Sequence, residues 1–176
     1  AQQSGSTTTT TAPPTTTTTE APVTGPYAPF VSVNQLVDQQ YRDVLKRPAS
    51  TIDKDFWSTR VGQTWSPGQF IAHLAISSEA DNKVHSVSRL YLAYFLRNPD
   101  HSGLNFWLSQ RAKGVTLVGI SSSFSNSSEF KKRYGALSNA SFVDRVYRNV
   151  MGRSPDTTGL NYWSGRLTSG TSRGQM

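Results

Sequence analysis

Phe142-Val143-Asp144-Arg145-Val146-Tyr147-Arg148-Asn149-Val150-Met151-Gly152-Arg153-Ser154-Pro155-Asp156 is the most regular stretch of the chain. Val143, Val146, Tyr147 and Val150 recur at i, i+3, i+4 and i+7, which lines one face of an α-helix. Pro155 ends that helix near Arg153, because a residue before proline is driven out of the α region. Asp156 then offers its carboxylate to the free N–H groups of a second helix. That helix carries Leu160, Trp163 and Leu167 and ends near Gly170.

Placing Tyr147 in one column with Tyr41 and Tyr91 brings out two further copies. Arg47, Arg97 and Arg153 each follow their tyrosine by six residues, and Trp57, Trp107 and Trp163 by sixteen. Each Trp is preceded by an aromatic, Phe56, Phe106 or Tyr162. The loop Pro99-Asp100-His101-Ser102-Gly103-Leu104-Asn105 matches Pro155-Asp156-Thr157-Thr158-Gly159-Leu160-Asn161, and copy one has a degenerate version over residues 48–55. Ser77-Ser78-Glu79 matches Ser127-Ser128-Glu129, and Ser66-Pro67-Gly68-Gln69-Phe70 matches Ser172-Arg173-Gly174-Gln175-Met176.

In copy one the first-helix face is Val37, Tyr41, Val44 and Leu45. In copy two the second helix carries Leu104, Trp107 and Leu108 and ends near Gly114. A third helix starts at Ser66-Pro67, with Ser as N-cap and Pro at the first helical position, and carries Phe70, Ile71, Leu74 and Ala75. The expected fold is all-α: tandem three-helix repeats of about 50 residues over 35–84, 85–140 and 141–176. The third copy stops at the first turn of its third helix. Tyr41, Trp57, Tyr91, Trp107, Tyr147 and Trp163 are the expected repeat core, with Asp100, Gly103, Asp156 and Gly159 as the loop caps. The Arg column falls at the end of the first helix, where a cation suits the dipole.

Residues 1–34 are a different material. They hold none of the four Trp, one of the seven Tyr and one of the eight Phe. Two threonine runs, Thr7, Thr8, Thr9, Thr10, Thr11 and Thr15, Thr16, Thr17, Thr18, Thr19, flank Ala12-Pro13-Pro14. Proline fixes φ and β-branched Thr stiffens the chain, so an extended arm is expected, with these threonines as O-glycosylation sites. The opening Ala1-Gln2-Gln3 reads as the end left by signal-peptide cleavage, hence export. The absence of Cys excludes disulfides and thiolate chemistry, so packing alone must stabilise such a protein. No apolar stretch is long enough to span a membrane as a helix.

The run 142–156, with Gly159-Leu160-Asn161-Tyr162-Trp163 and Gly170-Thr171-Ser172-Arg173-Gly174-Gln175, closely resembles the bacterial DUF4214 family. It is more weakly similar to the helical domains of phycobilisome linkers, which share the Tyr-Arg…Gly-Arg and Ser-x-x-Phe features. The similarity covers residues 35–176 and is clearest in copy three. It implies an all-α module, often repeated, in exported or surface-associated bacterial proteins such as S-layer and Ca-rich repeat proteins. The family brings no established catalytic residues. Copy one departs from the pattern, with Asp53 where the other copies have Gly.

No reaction centre emerges from the residues. Asp and Glu are sparse, and His73, His85 and His101 form no His-Glu-x-x-His motif. A cation would take Asp100 with Asn105, Asp156 with Asn161, or Asp53 with Asp55. Calcium needs six to eight oxygens and no loop has EF-hand spacing, so capping is the expected role. No metal, cofactor or catalysis is expected. Residues 35–176 carry 18 Lys and Arg against 10 Asp and Glu, a net charge of +8. In an exported protein that charge points to anionic cell-wall polymer, polysaccharide or neighbouring subunits rather than nucleic acid. The expected role is a secreted or cell-surface structural subunit of a layer, fibre or sheath. Its apolar run Tyr27, Phe30, Val31 and Val33 would cover the unfinished third repeat of the next subunit. The alternatives are a stalked binding module for cell-wall or extracellular polysaccharide, and an appendage of a larger secreted enzyme.

Overall fold

A computed structural model describes residues 24–176, and among these the chain is helical with no strand. The arm residues 1–23, with all ten candidate glycosylation threonines, lie outside the described residues. The first repeat opens with α1, Val33–Gln40, capped by the Ser32 hydroxyl and continued by a π-helical turn, Tyr41–Leu45. α2, Thr51–Ser58, and α3, Pro67–Ala75, complete it. Both start in capping boxes: Ser50 with Asp53, and Ser66 with Gln69, so two free amides are satisfied reciprocally at each end.

The second repeat follows the same order. A π-helical turn, Ala80–His85, leads into α4, Ser86–Phe95, then α5, His101–Ala112, and α6, Leu117–Asn126. The third has α8, Asn139–Met151, and α9, Thr157–Thr168, before the terminal turn. Asp100 and Asp156 cap α5 and α9 by accepting the Gly103 and Gly159 amides at 2.7 Å each. His101, expected on a loop, is the first residue of α5 because Asp100 is its N-cap.

The junctions between repeats differ. Tyr91 follows Tyr41 by 50 residues (91 − 41), but Tyr147 follows Tyr91 by 56 (147 − 91). The extra length sits after Ser-Ser-Glu. At the first junction the helical path runs from Ala80 into α4. At the second it breaks: α7, Ser128–Tyr134, ends at Gly135 with φ of 73°, and Ser138 caps α8 afresh. Ser-Ser-Glu therefore opens the next helical path rather than ending the third helix.

The first helix of every repeat terminates in one left-handed residue. Lys46, Leu96 and Gly152 occupy that column with φ of 57°, 52° and 66°. Only the third copy uses the residue without a Cβ clash there. Leu96→Gly is therefore expected to raise stability by about 0.5–1 kcal/mol in urea unfolding. Leu96 is half-exposed, so little burial is lost.

Two cores form. The first gathers Leu36, Val37, Tyr41, Leu45, Trp57, Phe70 and Leu74 of repeat 1. Tyr27, Phe30 and Val33 pack onto it from the same chain, and the Tyr27 hydroxyl donates to the Val61 carbonyl at 3.2 Å. Val31 stays 73% exposed. The second core runs through repeats 2 and 3, joining Val87, Tyr91, Phe95, Ile120, Phe124 and Phe130 to Phe142, Val143 and Leu167.

Candidate functional site

The recurring columns converge on one polar cluster per repeat. In repeat 1 the Trp57 indole N–H donates to the Tyr41 hydroxyl at 3.0 Å, and that hydroxyl donates to Asp53 at 3.1 Å. Arg47 donates to the other Asp53 oxygen at 2.8 Å. Its remaining nitrogens hold Glu79 in a two-point pair at 2.7 and 2.9 Å. Glu79 lies where the next helical path opens, so this arginine, just past the end of the first helix, clasps one repeat to the start of the next. A planar guanidinium meeting a planar carboxylate at two points gives direction as well as charge. The guanidinium also lies 4.8 Å from the centre of the Tyr41 ring.

Repeat 2 rebuilds the clasp from its own columns. Arg97 pairs with Glu129 at 2.9 and 3.0 Å and lies 5.2 Å from the Tyr91 ring centre. The cap carboxylate has moved from the third helical position to the N-cap, so Asp100 takes the place of Asp53 and stands 3.8 Å from Arg97. Gly103 occupies Asp53's column for a steric reason. A Cβ at Gly103 would lie 2.5 Å from the Tyr91 hydroxyl, and one at Gly159 would lie 2.7 Å from the Tyr147 hydroxyl.

Repeat 3 keeps half of this. Arg153 lies 5.5 Å from the Tyr147 ring centre and donates to the Ser154 carbonyl at 3.2 Å. The same donation to the following carbonyl occurs at Arg47 and Arg97. No carboxylate pairs with Arg153 among the described residues. Tyr41 and Tyr91 are buried, whereas Tyr147 and Trp163 remain half-buried. The expected core columns are thus sealed in the first two repeats and open in the third, except that Trp107 is also half-buried. Val150, expected inside, is 58% exposed.

The clasp shifts its carboxylates. Arg47 donation holds Glu79 down to about 2 against the opposing effect of burial. Burial also opposes ionisation of Asp53, but the Arg47 guanidinium and the Ser50 amide and hydroxyl bring it down to about 2. Both folded values lie below the ordinary carboxylate value of about 4. The stability they contribute is therefore present above that value and lost as pH falls through it toward about 2. Acid unfolding of repeat 1 is expected to steepen between about pH 4.5 and 2, and Glu79→Gln to flatten it, as read from urea midpoints across that range.

The candidate cation ligands are used otherwise. Asp100 accepts the Ser102 hydroxyl and the Gly103 amide, Asp156 accepts the Gly159 amide, and Asp53 belongs to the clasp. The Asn105 side chain bonds His101 at 2.8 Å. Asp55 and Asn161 are exposed. Among the described residues no group of three His, Asp or Glu is arranged to hold a metal. No described helix is long and apolar enough to cross a membrane.

The aromatic pairs divide between inside and outside. The Trp column faces the core, while Phe56, Phe106 and Tyr162 stand 48%, 54% and 55% exposed. Each meets its Trp edge-on at 5.0–5.2 Å between centroids. The pairing of the Arg column with the Ser-Ser-Glu column escaped the sequence reading. The signal was a constant separation of 32 residues, Arg47 to Glu79 and Arg97 to Glu129.

No curated protein and no solved structure matches the chain. Residues 121–176, from within α6 to the terminal turn, match the family model DUF4214, a domain of unknown function, which supports the resemblance over the part of the chain where it is clearest.

Proposed function

We propose that the protein is a non-enzymatic extracellular structural subunit of a surface layer, fibre or sheath, assembling through its arm and its helical repeats. The observation that carries this reading is the repetition of one clasp: Arg47 with Glu79 and Arg97 with Glu129 each tie a repeat to the start of the next. Units that repeat in this way contact chiefly their neighbours and stack in one direction. A contact between unlike surfaces propagates where it does not close. The Thr/Pro arm suits a stiff glycosylated spacer between such units, and the charge of +8 on residues 35–176 suits anionic polymer at a cell surface.

Electron microscopy of the purified chain tests this. Ordered fibres or sheets are expected, and their loss on removing residues 1–23, which leaves the Tyr27–Val33 cover of repeat 1 in place. Dispersed monomers from the full chain would contradict it. The second reading, a stalked binding module for polysaccharide, is favoured by Phe56, Phe106 and Tyr162, one half-exposed aromatic at the same column of each repeat. Aromatic faces of this kind stack on the apolar faces of sugars. It requires that replacing all three by Ala abolish retention on cell-wall polysaccharide.

A further inference from the structure

A cleft of about 330 Å³ lies between repeats 1 and 2. Three elements wall it: the end of the first helix of repeat 1, the π-helical turn Ala80–His85 and the last turns of α5. Leu45, Val84, Leu108 and Ala112 give it an apolar lining, and Leu45 and Val84 are buried. The clasp borders it, where Glu79 accepts from Arg47 at 2.7 Å and from Lys83 at 3.0 Å.

Two further cations line the same cleft without such a partner. Lys46 and Arg111 are both half-buried, and among the described residues neither pairs with a carboxylate. Arg111 reaches only the Asn82 carbonyl, at 3.5 Å, too long to hold a guanidinium firmly. Four cations, Lys46, Arg47, Lys83 and Arg111, thus face one carboxylate, Glu79, and the lining carries a net charge of +3. Taking part of a charge out of water costs free energy unless a partner compensates it.

The fold does not require this charge. The columns of Lys46 and Arg111 hold Leu96 and Leu167 in the copies that follow, and Leu167 is buried in the second core. Both cations stand at helix C-termini, where the dipole favours them. The dipole explains a cation at either end, but not two of them converging on one apolar cleft.

We propose that this cleft binds a small organic anion. Its acid group is held by Lys46 and Arg111, and its aliphatic body of a few carbons lies against Leu45, Val84 and Leu108. A planar guanidinium takes a carboxylate or a phosphate at two points, and the ammonium adds a point charge. An apolar concavity of this size with a few convergent polar groups is the usual form of a small-molecule site. The site goes beyond the assembly reading and stands whether or not the chain forms fibres.

Hexanoate and hexyl phosphate would each be titrated into the full chain at low salt. The amide resonances of Leu45, Lys46, Val84, Leu108, Arg111 and Ala112 report the binding. Saturable shifts centred on these residues are expected with at least one of the two, at a Kd of about 1 mM, and the tighter ligand identifies the acid group. Butanoate should bind about tenfold more weakly than hexanoate, because it buries less aliphatic chain. Lys46→Gln and Arg111→Gln should each weaken binding about fivefold. Ala112→Glu, at an exposed position, sets a carboxylate beside these cations and should abolish binding. The urea midpoints of the three variants should stay close to that of the parent chain. Lowered midpoints with unchanged affinity would overturn the proposal, because the cations would then serve the helix ends alone. No saturable shift with either ligand at about 20 mM would also overturn it. So would hexanol binding as tightly as hexanoate, or inorganic phosphate as tightly as hexyl phosphate, since one half of the recognition would then be idle.

Discussion

Phe70→Ala is expected to destabilise the protein by about 3–5 kcal/mol. Phe70 is fully buried, and its ring fills the space between Trp57 and Tyr41. Removing it loses the transfer energy of the ring and leaves a cavity whose walls are held in place. Trp57 and Tyr41 are hydrogen-bonded to each other, and Tyr41 is held by Asp53, so neither ring is free to collapse inward. That loss is a large share of a typical domain's stability of about 5–15 kcal/mol. Met176→Ala, in the same column of repeat 3, should cost less than about 1.5 kcal/mol, because Met176 is only half-buried beside an open groove. Urea unfolding measures both, and similar losses at the two positions would contradict the contrast between closed and open repeats.

Gly103→Ala is expected to cost about 2–3 kcal/mol, far more than a glycine-to-alanine change in the first turn of a helix, which ordinarily stabilises. The added Cβ would meet the Tyr91 hydroxyl at 2.5 Å. Tyr91 is 5% exposed and packed against Phe95 and Phe124, so the clash is not relieved by swinging the ring away. Tyr91→Phe removes the offending oxygen, and the next ring atom would stand 3.5 Å from the Cβ, an ordinary contact. The double variant should therefore recover most of the loss, a coupling of about 1–2 kcal/mol in a double-mutant cycle. An uncoupled pair would mean that the glycine is needed for something other than the tyrosine.

Much of this fold is legible in the sequence because it is written three times. Tyr, Arg, Trp and the Pro-Asp-x-x-Gly loop recur at fixed spacing, and spacing is what a helix converts into a face. The capping residues Ser66, Asp100 and Asp156 sit where the sequence places them, since capping depends on the nearest few amides alone. What escaped was long-range or subtle. The Arg and Glu columns were both visible, yet their pairing spans 32 residues and depends on the third helix folding back across the first. The dipole argument for Arg47 and Arg97 was therefore too local. The apolar run Tyr27, Phe30 and Val33 read as a surface for a neighbour, while in the structure it covers its own repeat. Hydrophobicity indicates that a segment is covered without indicating by which chain. The Trp column expected in the core does face inward, while Phe56, Phe106 and Tyr162, one helical step of about 100° away, stand half-exposed.

Among the described residues the clasp is complete in two repeats and open in the third, and the Arg column tests this directly. Arg47→Gln, Arg97→Gln and Arg153→Gln would be compared by urea unfolding at neutral pH. Arg47→Gln should cost about 1–2 kcal/mol, because Glu79 and Asp53 both lose a partly buried charged partner. Arg97→Gln should cost less than about 1 kcal/mol, because its pair with Glu129 is more exposed. Arg153→Gln should leave stability unchanged within about 0.3 kcal/mol. A loss at Arg153 as large as that at Arg47 would contradict the account, because it would mean that repeat 3 is already closed.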